Sequence, residues 1–178
     1  MKSIEPLRRK FNVRHVNDAV MFALLEYGED AYEPLQSMLA GGTSYEKLNA
    51  AHAVRQWWFQ NSHRDWIKQV AIPLMINNLT DIDEYTRGYT VAVLCDTRDP
   101  RAFSPILDLA RDPSGYVRWS VAGMVEKFGD QRAIPILEWI CENAKDHEMV
   151  MSEDGPFKQY NADVAKEAIT RIQSEKHR

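Results

Sequence analysis

The sequence predicts an all-α fold, a right-handed α–α superhelix of about five stacked helical hairpins. Three observations carry this expectation. Ala71, Ala102 and Ala133 fall at an equal spacing of 31 residues, each followed by an apolar residue and then by Pro73, Pro105 or Pro135. Ala31 with Pro34 fits the same frame 40 residues before Ala71. Tyr45, Tyr85 and Tyr116 each lie 14 residues after their alanine, and each has a cation two places on: Lys47, Arg87 and Arg118. Within this frame apolar residues recur at helical spacing, as in Ile106, Leu107 and Leu109, and turn formers interrupt them, as in Asp112-Pro113-Ser114-Gly115.

The units follow in order within a single domain over 1–178. Unit one, 3–28, has a short basic first helix (Lys2, Arg8, Arg9, Lys10, Arg14) and a second helix from Val16 to Gly28. It reads as a solvated end cap, which terminal repeats need, or alternatively as a contact for an acidic partner. Unit two, 30–59, has Thr43 or Ser44 as N-cap of its second helix. Nine extra residues then fall within WWFQNSHRDWIKQ, between Trp57 and Val70, and predict a lengthened helix or a bulge. Its tryptophans, Trp57, Trp58 and Trp66, are expected mostly in the core. Unit three is 65–96. Unit four, 99–129, opens at the N-cap Asp99, tolerates Pro105 and stops at Gly129. Unit five, 130–174, opens at Asp130, breaks register after Ala144 and resumes as a helix from Phe157 to Ser174. Between its helices the acidic stretch KDHEMVMSEDGPF reads as an inserted loop, of the length at which loops are often functional or mobile. Neither helix of a pair can bury its apolar stripe alone, whereas stacked pairs can.

The net charge of −4 disfavours a nucleic-acid backbone as partner and suits a basic protein. Cys95 and Cys141 sit far apart in apolar helical patterns, as reduced thiols in a reducing compartment do. The start MKSIEPLRRKFNVRH lacks a secretory apolar run, and no stretch has the length of a membrane span. The expected location is the cytoplasm.

The run Val117-Arg118, Val121-Ala122, Met124-Val125, Gly129-Asp130 and Arg132-Ala133-Ile134-Pro135 resembles short HEAT-like repeats, the type also found in bacterial phycobilin-lyase-like proteins. The resemblance covers four or five units. It implies a fold rather than an activity, because such repeats serve many unrelated roles.

A search for catalytic chemistry finds little. No two of the five histidines are spaced to put a pair of metal ligands on one helical face, and no cysteine pair is close in sequence. The sequence has no phosphate loop and no Gly-x-Ser-x-Gly elbow. Asp81 with Asp83, and Asp96 with Asp99, stand at turns, where caps are expected rather than an acid–base pair. No metal, cofactor or catalytic residue is assigned.

The resemblance implies that the second helices line a concave face. Carrying its register over gives the outward positions Asp18, Ala19, Phe22 and Glu26 in unit one and Leu48, Asn49, His52 and Gln56 in unit two. In unit three they are Gly88, Tyr89, Ala92 and Asp96, and in unit four Trp119, Ser120, Gly123 and Lys127. Asp18, Phe22, Glu26, His52, Gln56, Tyr89, Asp96, Trp119 and Lys127 are the expected partner-binding residues, because aromatic anchors with charged surroundings suit a protein surface. Arg87 and Arg118 are expected to pair with turn acids or carbonyls of a neighbouring unit. The leading functional expectation is therefore a non-catalytic protein-binding module, such as a bacterial immunity protein that neutralises a toxin. Two alternatives arise from the resemblance: an accessory to bilin attachment, and a HEAT-like DNA glycosylase that would use Trp119, Tyr89 and Asp96.

Overall fold

The computed structural model describes residues 26–152 and 155–175. Most of them are helical, as an all-α helical-repeat fold requires, with one short hairpin of strands. The second helix of unit one, with Asp18 and Phe22, lies outside the described residues. The chain divides between Thr97 and Arg98 into two compact units.

In the first unit a 3₁₀ turn, Gly28–Ala31, leads into α1 (Tyr32–Gly41). Thr43 then caps α2 (Ser44–Phe59) with a complete capping box: its hydroxyl accepts the Glu46 N–H, and the Glu46 carboxylate accepts the Thr43 N–H. The nine extra residues produce two linked features. Asn61 and His63 adopt positive φ, which turns the chain sharply. The next helix begins as α3 (Arg64–Trp66), widens into a π turn at Ile67–Ala71 and continues as α4 (Ile72–Asn78). Asp83 caps α5 (Glu84–Thr97) by accepting the Thr86 N–H. Helix α2 packs against α1 on one side and α5 on the other, and α4 packs against α1 and α5.

In the second unit Asp99 caps α6 (Pro100–Asp108), which runs on into a 3₁₀ turn at Leu109–Arg111. Helix α7 (Gly115–Met124) tightens into a 3₁₀ turn, Val125–Phe128, and ends at Gly129 with φ 63°. Asp130 caps the turn before α8 (Ile134–Asn143). The stretch expected as a loop is instead an antiparallel hairpin, β1 (His147–Ser152) with β2 (Gly155–Tyr160), in a register that pairs His147 with Tyr160 and Ser152 with Gly155. The last helix therefore starts later than expected, as α9 (Asn161–Glu175). It packs along α7 and α8, while β1 lies on α7.

The repeat marks have structural causes. Ala31, Ala71, Ala102 and Ala133 are all fully buried, so a larger side chain has no room there. The cations two places after the tyrosines clamp turns. Lys47 reaches Asp81 of the next repeat at 2.8 Å. Arg87 donates to the carbonyls of Asp81 and Ile82. Arg118 donates to the Asp112 carbonyl and pairs with Asp146 at 2.8 Å. Trp57 is buried, whereas Trp58 and Trp66 are half-buried. Neither cysteine forms a disulfide among the described residues; Cys95 is buried and Cys141 half-buried.

Candidate functional site

On α2, residues 52, 55, 56 and 59 share one face at helical spacing, and on α5 residues 89, 92 and 96 do the same. The packing of α2 on α5 joins the two faces into one wall. The His52 Nδ1 is hydrogen-bonded to the Tyr89 hydroxyl, and the two rings stack 5.6 Å apart at 26°. One turn further on, Arg55 Nε donates to Asp96 Oδ2 at 2.6 Å, with the Asp96 side chain only 4% exposed. The Trp58 indole N–H donates to the Asp96 carbonyl at 2.9 Å. The Arg55 guanidinium also lies 5.3 Å from the Phe59 ring and 5.7 Å from the Tyr89 ring, within cation–π range. Arg64 stacks over Trp58 at 3.4 Å.

Burial acts to lower the Arg55 pKa, but the Tyr89 hydroxyl and the Asp96 carboxylate outweigh it and raise the pKa above the ordinary guanidinium value. The wall is thus a row of half-exposed aromatic rings held in place by paired charges. Asp96 is engaged on both sides, its carboxylate by Arg55 and its backbone carbonyl by Trp58. Of the two thiols, Cys141 has its pKa raised by burial, the opposite of an activated nucleophile. Among the described residues no three His, Cys, Asp or Glu side chains are grouped to hold a metal ion.

The structure brings His52, Gln56, Tyr89 and Asp96 together in the first unit. Glu26 is exposed before the Gly28–Ala31 turn. In the second unit Trp119, half-buried, donates its indole N–H to Gln159 Oε1 at 3.0 Å and stacks on Tyr116. Lys127 is half-buried in the Val125–Phe128 turn.

Four expected outward positions are corrected. Leu48 and Asn49 are each 5% exposed, Ser120 is 2% exposed, and Gly88 is buried. The reason on α2 is double flanking: helices on both sides narrow its open arc, which begins at His52. Ser120 further turns its hydroxyl to the Tyr116 carbonyl four residues back, and the Asn49 side-chain amide Nδ2–H donates likewise to the Tyr45 carbonyl. Arg55, Trp58 and Phe59 were missed as members of the wall. Arg55 and Phe59 lie three and seven residues after His52, on the same helical face.

Residues 72–151 match the family model for HEAT repeats. A search of curated proteins finds no match to the chain. HEAT repeats generally mediate protein–protein interaction. Among the described residues no helix is long and apolar enough to cross a membrane.

Proposed function

For this HEAT-like repeat protein, we propose a non-catalytic role in which the α2–α5 wall grips another protein. The observation that carries the reading is the composition and fixing of that wall. Tyr89, Trp58, Arg55 and Arg64 are of the residue types that dominate binding energy at interfaces. Their ion pair, hydrogen bonds and stacking hold them in place before a partner arrives, which lowers the entropy lost on binding. Phe59, at 59% exposure, supplies open apolar area beside the Arg55 guanidinium. The net charge of −4 favours a basic partner. Toxin neutralisation by a bacterial immunity protein is the specific form we favour, because a small acidic binder suits it.

The test begins with capture from the native host, with identification by mass spectrometry and calorimetry on the purified pair. Phe59→Ala and Tyr89→Ala should each weaken the complex by roughly 2 kcal/mol. Unchanged affinity in both variants, with the helical spectrum intact, would remove this surface. The ion pair of Asp96 with Arg55 counts against the glycosylase alternative, which needs that carboxylate for chemistry.

A further inference from the structure

The wall carries a cation that no acid neutralises. Arg55, Arg101, Arg118, Arg132 and Arg171 each hold a carboxylate. Arg64 holds none among the described residues. Its Nε donates to Asn61 Oδ1 at 3.1 Å, and its guanidinium lies 3.4 Å from the centroid of the Trp58 ring. The two terminal nitrogens of the fork meet no acceptor among the described residues.

The nine extra residues after α2 put the cation there. The Asn61 N–H donates to the Trp58 carbonyl at 3.1 Å and the Ser62 N–H to the Trp57 carbonyl at 2.9 Å, so the chain folds back on the end of α2. Asn61 takes φ 56°, a left-handed conformation that asparagine adopts more readily than most residues. Arg64 then opens α3 already stacked on Trp58. That ring is itself held, because its indole N–H donates to the Asp96 carbonyl. The stack and the Asn61 bond fix the plane of the guanidinium and leave its terminal edge unused.

Such an edge matches a carboxylate, which accepts two parallel N–H bonds from one guanidinium. A fork fixed beforehand loses little freedom on pairing. Phe59, the neighbour of Trp58 in the chain, is 59% exposed. Two acids lie close in the fold or the sequence: Asp96 is taken up by Arg55, and Asp65 is exposed on α3 without pairing to Arg64. With the net charge of −4 they disfavour a polyphosphate backbone, which is charged at every unit, but admit a single carboxylate on a partner that is otherwise apolar or basic.

We propose that the partner gripped by the α2–α5 wall delivers an aspartate or glutamate to the Arg64 fork, with an apolar neighbour laid on Phe59. This rests on the protein-binding role of the wall. Overall charge acts on a partner's approach, whereas the contact is decided by a cation left unneutralised.

The probes are two capped peptides, Ser-Leu-Asp-Leu-Ser and Ser-Leu-Asn-Leu-Ser, titrated at millimolar concentration into the full nitrogen-15-labelled chain and followed by NMR. The aspartate peptide should shift the Trp58 indole and Arg64 Nε resonances and bind about fivefold more tightly than the asparagine peptide. Arg64→Gln should erase that preference. Arg64→Lys, which keeps the charge but not the fork, should lose most of it, and both variants should keep the wild-type helical spectrum. Lys68→Gln, which removes an exposed cation from the π turn that follows, should preserve the preference. Equal affinity for the two peptides, no shift with either, or the same loss in Lys68→Gln would overturn the proposal. A phosphoserine peptide bound more than about tenfold more tightly than the aspartate peptide would also overturn it, by assigning the fork to a phosphoryl group. Affinities for the captured partner separate this contact from the wall itself. Weakening in Phe59→Ala and Tyr89→Ala with full affinity in Arg64→Gln would keep the wall and remove the carboxylate contact, whereas weakening in all three supports both.

Discussion

Arg55 shows how one side chain ties a surface to stability. It is 26% exposed and its partner Asp96 is 4% exposed, so removing the cation strands a nearly buried carboxylate. Arg55→Ala should cost roughly 2 kcal/mol in urea unfolding, a figure already reduced for the partial exposure of the arginine. Asp81 makes the pH-dependent counterpart. Burial acts to raise its pKa, but Lys47, Ser44 and the Asp83 N–H outweigh it, and the carboxyl lies below its ordinary value. The folded state therefore binds this proton less readily than the unfolded chain. The resulting stability is fully present above the unfolded value of about 3.9 and is lost as pH falls through the folded value. Acid titrations monitored by circular dichroism should show a shallower loss in Asp81→Asn than in the wild type.

At the scale of elements, the hairpin depends on its base. Asn161 is fully buried; its Nδ2 donates to the Gly115 carbonyl at 2.9 Å and to Asp146 Oδ2 at 2.5 Å, and its N–H donates to the Asp146 carbonyl. Gly115 packs closely beside this knot: a Cβ there would stand 2.7 Å from Asp146 Oδ2, so the carboxylate would have to shift. Asn161→Ala leaves both acceptors without that donor, at a cost of about 1–3 kcal/mol. Hydrogen exchange should then accelerate across 147–152 and 155–160 while the core of α7 stays protected. The hairpin had a faint signal in the sequence, the short apolar run Met149-Val150-Met151 followed closely by Asp154-Gly155, a dipeptide common in tight hairpin turns. Its length and charge resembled an ordinary insertion, and two strands make too little apolar alternation to stand out among helices. The turn clamps were more legible, since Arg87 and Arg118 act on turns a few residues away and so leave a fixed spacing.

Across the whole molecule, what could be read from the sequence was what repeats. The four buried alanines and the tyrosine–cation beat give the helical units and most of their caps. The Arg55–Asp96 pair spans 41 residues between different helices and leaves no local trace. The engagement of Trp119 by Gln159 is equally invisible, because it depends on where an unrepeated hairpin lands. The π turn at Ile67–Ala71 bears on the geometry of the first unit. A wider turn consumes one residue more than the α-helix around it, so it works as a phase shifter between α3 on one side and α4 on the other. Deleting Gln69 should let the helix close up as plain α and swing everything upstream by about 100° about its axis. Trp66 would then leave the face of Tyr32, on which it now lies parallel at 4.7 Å, and near-ultraviolet dichroism would register the broken stack. One spare amino acid in that coil thus acts like a shim, setting the angle at which the first pair of rods meets the next.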